Sequence, residues 1–364
     1  MNFDIDFTSI NVNFLIPNMN IDFDVYYKTP TLTGMEYVLL CRNVVLNEEL
    51  IKKFRRVTAP HYVVYVPNQN YESTFKHYVE GHIEQEVVHF EGYNNIKEDT
   101  NEVFADISKS HKISKEKAVG ISQTINEQLH TVAATEIIKS INSIRKVDEY
   151  LYTHSVNVSF LNGLIGRWLK YDPANLETLI KVGLLHDIGK LSIPPEILNK
   201  PAKLTPAEFA VMKQHPTYSY NILIESKIED EGILKGVVQH HEKVNGTGYP
   251  MGLSSDAITA AARITSISDV YDAMVAKRVY KDAHSPFEIL SWFSEGCYSD
   301  LDINYVNIFL DCMVEELKGK KVVLSDDSIA TVLYVHKKDF NYPIVELNGE
   351  VVHTDKKRNC IRML

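Results

Sequence analysis

Cysteine is scarce in this sequence. Cys41, Cys297, Cys312 and Cys360 lie far apart, with no C-x-x-C pair. So sparse a set excludes a disulfide framework and a zinc-thiolate site, and fits free thiols in a reducing compartment. Long hydrophobic runs are also missing, since no stretch approaches the ~18 uninterrupted apolar residues of a membrane helix. The opening MNFDIDFTSI lacks the basic start and apolar run of a secretory leader, so a cytoplasmic location is expected. Positive charge is in deficit, with 38 basic against 48 acidic residues and a formal charge of −10. That balance excludes general binding to DNA, RNA or an anionic membrane surface, and at first sight it argues against any anionic substrate. What is present is ordinary for a globular chain: 364 residues, 45% hydrophobic and 24% charged. The length suits about two to three domains, enough to bury a core without covalent staples.

The apolar pattern divides the chain in three. Residues 1–100 read as a small α/β domain of regulatory or sensory type. Phe3, Ile5 and Phe7 alternate with polar residues, and Ile21, Phe23 and Val25 repeat that alternation, which is the strand period. EYVLLCRN and HYVVYVPN predict further strands around a short helix near Asn47–Val57, and a second helix follows Tyr71. His77, His82 and His89 cluster there with Glu80, Glu84 and Glu86, but their spacing does not converge on one point, so a solvated face is the reading.

Residues 101–316 change to the 3.6 period and predict an all-α bundle. Ser114 caps a long helix running toward Arg145, and Leu151, Val158, Leu161, Ile165 and Trp168 mark the buried stripe of the next. Asp172-Pro173 and Thr205-Pro206-Ala207-Glu208 start two more. Residues 317–364 return to valine-rich segments broken by turn residues such as Asn348-Gly349, predicting a small β appendage packed on the bundle. The net charge divides into −6, −7 and +3 over these three regions.

The helical region carries His154, His186-Asp187, His215, His240-His241 and Asp269. Each alone has an ordinary explanation: a hydrogen-bonded core histidine, a helix end, a cap. Together they do not, because so many ionisable groups at inward-facing helix positions are costly unless something pairs with them. Divalent metal ions supply that pairing, and neutral imidazoles with carboxylates suit iron, manganese, nickel or zinc. Seven side chains are too many for one ion. Two ions sharing an aspartate can generate a nucleophilic hydroxide and clamp both oxygens of an in-line phosphoryl displacement. Lys190, at i+4 from His186, brings a cation beside them. The stretch HHEKVNGTGYP runs from two candidate ligands into a loop with Gly246, Gly248, Tyr249 and Pro250, where glycine permits close approach and the aromatic ring offers a stacking face. Arg278 and Lys281, nine and twelve residues after Asp269, suit phosphate clamping.

His186-Asp187 with Gly189-Lys190, then His240-His241-Glu242 and Gly246-Thr247-Gly248-Tyr249-Pro250, resembles the HD-GYP branch of the HD-domain phosphohydrolases. Lys203–Pro216 and Arg263–Lys281 are similar to further parts of that family, and the likeness covers the chain from roughly Ile121 to Leu317. The resemblance implies an HD-type helical core and a bacterial phosphodiesterase for cyclic dinucleotides. Cyclic di-GMP would be opened to pGpG, and in some members carried on to GMP, by attack of a metal-bridging hydroxide at phosphorus. It further implies that His154, His186, Asp187 and Asp269 hold one ion, and that Asp187 bridges to a second held by His215, His240 and His241. Iron or manganese is favoured over nickel or zinc. Asp187 and Lys190 would be catalytic, while Tyr249, Pro250, Arg278 and Lys281 would bind substrate.

Three departures from the family pattern matter. Some members use a glutamate one turn before the first histidine to help hold a third ion; here Tyr150 stands there and Glu149 is one residue off register, which favours two ions. The usual aspartate of the GYP loop is Asn245, which suits an Asn-Gly turn. Ser219 replaces a frequent glycine, a change read as one of packing. A homodimer, or a signalling partner on the GYP loop or residues 1–100, is compatible with this reading. The competing functions are a non-catalytic cyclic-dinucleotide sensor, a phosphodiesterase for cyclic GMP-AMP and a general HD nucleotidase. Two divalent ions with Lys190, Arg278 and Lys281, less two aspartates, give about +5 at the site, so an overall acidic chain can still receive a small dianion.

Overall fold

The computed structural model describes residues 7–11, 20–31, 34–58, 63–67, 90, 92–141, 150–200, 202–275, 285–295, 300–336, 339–356 and 358–363. The chain divides into two compact units, Met1–Val88 and His89–Leu364.

In the first unit, β1 (Phe7–Asn11), β3 (Val25–Thr31), β4 (Gly34–Cys41) and β6 (Val63–Pro67) form an antiparallel sheet in the order β1-β6-β3-β4. β2 (Asn20–Ile21) pairs with β5 (Val44–Val45). Helix α1 (Glu48–Thr58) lies where the sequence predicts one, and buries Ile51 and Phe54 with Val25, Val64 and Val66 of the sheet. Ile21, Phe23 and Val25 do alternate inward, yet they do not form one strand: the chain bends between β2 and β3, where Asp24 pairs with Arg42. The Phe3 and Ile5 positions, the helix expected after Tyr71 and the His/Glu cluster from His77 to His89 lie outside the described residues.

The second unit opens with α2 (Tyr93–Ser110), which runs through residue 100, so the helical unit starts some residues earlier than the change of period suggests. Ser114 accepts from the backbone of Lys117 and caps α3 (Lys115–Thr131), as its sequence position predicts. The helix toward Arg145 is interrupted, however. Val132 is extended, at φ −101° and ψ 139°, and a separate α4 (Ala134–Ile141) follows. α5 (Tyr150–Trp168) is buried around most of its circumference, the signature of a central helix. Its buried hydroxyl and amide groups bond to neighbours: Ser159 donates to Ile180 O, and Asn162 to Leu179 O and Thr265 Oγ1.

Against α5 pack α6 (Pro173–Leu185, capped by Asp172) and α11 (Ala260–Val275); α10 (Glu231–Gln239, capped by Asp230) packs on both of these, and α9 (His215–Glu225) packs on α10. Between α6 and α9 come a 3-10 turn at Ile188–Ser192, a short α7 (Pro195–Leu198) and α8 (Pro206–Met212). Helix α8 begins with the predicted capping box of Thr205 and Glu208. α12 (Pro286–Glu295) and α13 (Ile303–Leu317) complete the bundle.

The C-terminal segment forms β7 (Lys321–Leu324), β8 (Ile329–His336), β9 (Asp339–Leu347), β10 (Glu350–His353) and β11 (Cys360–Met363) in the order β10-β9-β8-β7-β11. Asn348 and Gly349 take positive φ of 54° and 84°, the hairpin turn their sequence predicts. Val322, Leu324, Val332, Phe340 and Val345 join the same buried core as the helices. Asn341 also donates to Ser291 Oγ of α12, so the sheet is welded to the bundle.

Candidate metal centre

Five helix ends or faces meet at one point. His154 sits in the first turns of α5, His186 and Asp187 directly follow α6, His215 opens α9, His240 and His241 follow α10, and Asp269 lies on α11. His186 and His240 cap the C-termini of α6 and α10, and each ring folds back onto its own helix with Nδ1 against a backbone carbonyl. All are buried except Asp269 and His241, which are partly exposed.

The seven side chains form two groups, each with its candidate ligand atoms within 4.8 Å of one another: His154, His186 and Asp269; and Asp187, His215, His240 and His241. Asp187 reaches both. Its Oδ2 lies 3.4 and 3.3 Å from Nε2 of His154 and His186, and its Oδ1 lies 3.2 and 3.8 Å from Nε2 of His215 and His240. Asp269 spans the groups too, with Oδ1 3.1 Å from His154 Nε2 and Oδ2 3.8 Å from His241 Nδ1.

Hydrogen bonding fixes which ring nitrogens face inward bare. His186, His215 and His240 each hold Nδ1 against the carbonyl three residues earlier, at 2.8, 2.8 and 2.7 Å. A carbonyl only accepts, so Nδ1 carries the proton, and in the neutral ring Nε2 keeps its lone pair. Yet Nε2 of His215 and His240 face each other at 3.3 Å, as do Nε2 of His154 and His186. Asp187 Oδ1 is buried and accepts no hydrogen bond. Converging lone pairs and an orphaned carboxylate oxygen call for cations, and an imidazole–carboxylate donor set suits a divalent metal.

The electrostatics agree. Burial holds His240 well below the usual imidazole range and takes His241 down to about 3, so both stay neutral and able to ligate. Burial opposes charge on His154 as well, but hydrogen bonds to Asp187, Asp269 and Asp272 outweigh it and raise its pKa well above the ordinary value. Three carboxylates around one imidazole demand positive charge at this position. Burial would raise Asp187, but His186 and Lys190 nearby hold it well below the carboxylate range.

Lys190 belongs to the 3-10 turn rather than to an α-helical continuation, and its Nζ pairs with Asp187 Oδ2 at 2.5 Å. That turn packs tightly: a Cβ on Gly189 would lie 2.1 Å from His215 O, so only glycine fits. Ser219 does more than fill space here. Its Oγ accepts from Gly189 N and donates to His186 O, both at 2.8 Å, tying α9 to the turn.

The GYP loop is anchored from beneath. Buried Glu242 accepts from the backbone of Met251 at 2.6 Å and Leu253 at 2.8 Å. A Cβ on Gly248 would approach Lys243 N to 2.4 Å, so the loop folds back on the chain that leaves His241. Tyr249 thereby lies over His241, ring centroids 4.8 Å apart, and precedes Pro250 through a cis bond. Burial, with Asp269 and Asp187 nearby, raises its phenol pKa, so the hydroxyl keeps its proton. Asn245 accepts from Thr247 N and donates to Asp300 Oδ1.

Arg278, Lys281 and Glu149 lie outside the described residues, as does the Tyr150 side chain. Sequence reasoning passed over Asp272, which is buried, meets His154 Nδ1 at 2.7 Å and accepts from Asn157 Nδ2 at 2.9 Å. The signal was available: Asp272 follows Asp269 by one helical turn, and Asn157 follows His154 likewise. The roles of Glu242 and Ser219 had no such signal, because their partners are backbone atoms distant in sequence.

The HD domain family model matches residues 127–295. A cyclic di-GMP phosphodiesterase of Pseudomonas aeruginosa is 32% identical over 208 residues, 57% of this chain and 50% of that protein. A 3′3′-cGAMP-specific phosphodiesterase of Vibrio cholerae is 36% identical over 154 residues, 42% of this chain and 33% of that protein. The chain thus spans half or less of the length of these relatives. Among solved structures, an HDG"Y"P protein from Bdellovibrio bacteriovorus shares the fold at 21% identity and a TM-score of 0.50, covering 85% of this chain and 99% of that one. Residues 127–295 thus carry an HD domain, and the paired HD and HHE-GYP motifs there are similar to those of the HD-GYP branch.

Proposed function

We propose that this chain is a metal-dependent phosphodiesterase that opens a cyclic dinucleotide, cyclic di-GMP foremost, to its linear form. One observation carries the proposal: Asp187 directs one oxygen toward each of two imidazole groups whose bare nitrogens converge. His154, His186, Asp187 and Asp269 would hold one ion, and Asp187, His215, His240 and His241 the second. Divalent ions there would polarise a phosphoryl oxygen and lower the pKa of coordinated water, with iron or manganese suiting the nitrogen–oxygen donors.

The protein's own groups supply the rest. Lys190 brings a cation to the Asp187 side of the centre, where charge grows on the non-bridging oxygens of the phosphodiester. Tyr249, kept protonated over His241, offers the substrate a ring face and a hydroxyl donor. Pro250 stiffens the loop at that edge, and Arg278 and Lys281 orient a phosphate. Two relatives named for cyclic di-GMP and for 3′3′-cGAMP support the dinucleotide class.

The test is to load the full chain anaerobically with iron(II) or manganese(II), then chromatograph products from cyclic di-GMP and cyclic GMP-AMP. Linear pGpG from cyclic di-GMP is expected. Saturable binding without turnover would make the protein a sensor, preference for cyclic GMP-AMP would reassign the substrate, and both rings left intact and unbound would overturn the reading.

A further inference from the structure

A chain of hydrogen bonds leaves the centre through His154. His154 meets Asp272 through Nδ1, Asp272 accepts from the Asn157 amide, and the Asn157 carbonyl oxygen accepts from the Tyr93 hydroxyl. Every member is buried: Tyr93 is 1% exposed, and Asn157 and Asp272 are fully covered. The chain has one consistent polarity. The Asp272 carboxylate can only accept, so His154 presents a proton to it at Nδ1, which leaves Nε2, facing Asp269 and Asp187, as the nitrogen that would give up its proton to a metal ion. Asn157 can donate to Asp272 only with its oxygen pointing the other way, and the Tyr93 hydroxyl is the donor that this oxygen finds.

Tyr93 is the first residue of α2, five residues beyond the end of the first unit. Its ring is fixed by Phe90, centroids 5.5 Å apart, and by Phe160 of α5 at 6.1 Å. Helix α2 also packs against the Ile188–Ser192 turn that carries Lys190. Helix α2 thus meets two of the centre's supports, Asn157 and the turn that carries Lys190.

We infer that Tyr93 is a positioning residue for the metal centre, acting through Asn157 and Asp272 to fix the tautomer and orientation of His154. Partners one step behind a metal ligand, here Asp272, typically change metal affinity 10- to 100-fold when removed, and Tyr93 stands two links further out. The inference rests on the metal reading above, and extends it to a helix that bears none of the family's motif residues.

Titration of the full chain with manganese(II), followed by calorimetry, separates the two ions. Tyr93→Phe removes one oxygen and keeps the ring between Phe90 and Phe160. It should weaken one equivalent by about three- to tenfold and leave the other unchanged. Asp272→Asn should weaken the same equivalent by about 10- to 100-fold. Thr100→Ala is the control, because it deletes a buried hydroxyl of α2, bonded to Ile96 O, without touching the chain to His154. It should alter neither equivalent. If Tyr93→Phe changes neither, or weakens both alike, the inference fails. If the unaltered protein takes up no manganese, the metal reading fails instead, and nitrogen-15 spectra of His154 decide this one. A His154 Nδ1–H signal that shifts and exchanges faster with water in Tyr93→Phe than in the unaltered chain supports the inference, and identical spectra overturn it.

Discussion

Nε2 of His215 and Nε2 of His240 face each other across 3.3 Å while each ring gives its proton to a backbone carbonyl behind it. Two lone pairs at that separation repel, so the fold carries an electrostatic cost that a bound cation removes. Metal uptake should therefore stabilise the second unit. At metal 100-fold above its dissociation constant, one site contributes about 2.7 kcal/mol, which raises a domain of this size by roughly 5–10 °C. Calorimetric melting with and without manganese, and with a chelator in excess, measures the shift. An unchanged melting temperature would contradict the cation-seeking reading of these nitrogens.

Asp187 is the side chain whose loss should reach both groups at once, because its two oxygens serve different histidine pairs. Asp187→Asn keeps the shape and replaces one oxygen with a donor that cannot ligate. Metal content by elemental analysis should fall from two ions per chain to one or none, and turnover should disappear. Asp269→Asn should spare the His215–His240 group more. A fully active Asp187→Asn chain that retains both ions would remove Asp187 from the centre.

How much of this was legible beforehand depended on whether a signal was local. Capping residues announced helix starts, as with Ser114, Asp172 and Thr205, because a cap bonds to backbone two or three residues away. The motif residues announced the centre because buried histidines and aspartates have few other uses. The end of α3 at Thr131 was not legible: Val132 continues the apolar pattern, and only its extended backbone breaks the helix. Nor was Tyr93, whose partner lies 64 residues away, or Glu242, whose carboxylate finds two loop amides that the fold alone brings there.

Ser219 illustrates the same limit and gives the next prediction. A serine in place of the family's frequent glycine reads as a change of packing, but its hydroxyl joins Gly189 N to His186 O. Ser219→Ala leaves a buried N–H and a buried carbonyl without that partner, at a cost of about 1–3 kcal/mol. Because the loss falls on the turn between His186 and Lys190, turnover should drop along with stability. Urea unfolding and steady-state kinetics on the metal-loaded chain measure both. A variant as stable and as active as the parent would return Ser219 to a packing role.

Asn245 stands where the family usually has aspartate, and the structure supplies a reason. Its amide donates to Asp300 Oδ1 at 2.9 Å, and Asp300 also pairs with Lys243 at 2.7 Å. Aspartate at position 245 would set two carboxylates against each other at the base of the GYP loop. Asn245 is exposed and the Asp300 side chain is 39% exposed, so the repulsion is modest, about 1 kcal/mol in a water-like dielectric, and it is screened by salt. Asn245→Asp should therefore reduce turnover a few-fold at low ionic strength and regain most of it in high salt. Adding Asp300→Asn to that variant restores a donor–acceptor pair with the roles exchanged, so the double variant should recover activity at low salt, where Asn245→Asp alone does not. A double-mutant cycle on kcat and KM reads the coupling directly. Strict additivity would show that Asn245 and Asp300 act independently.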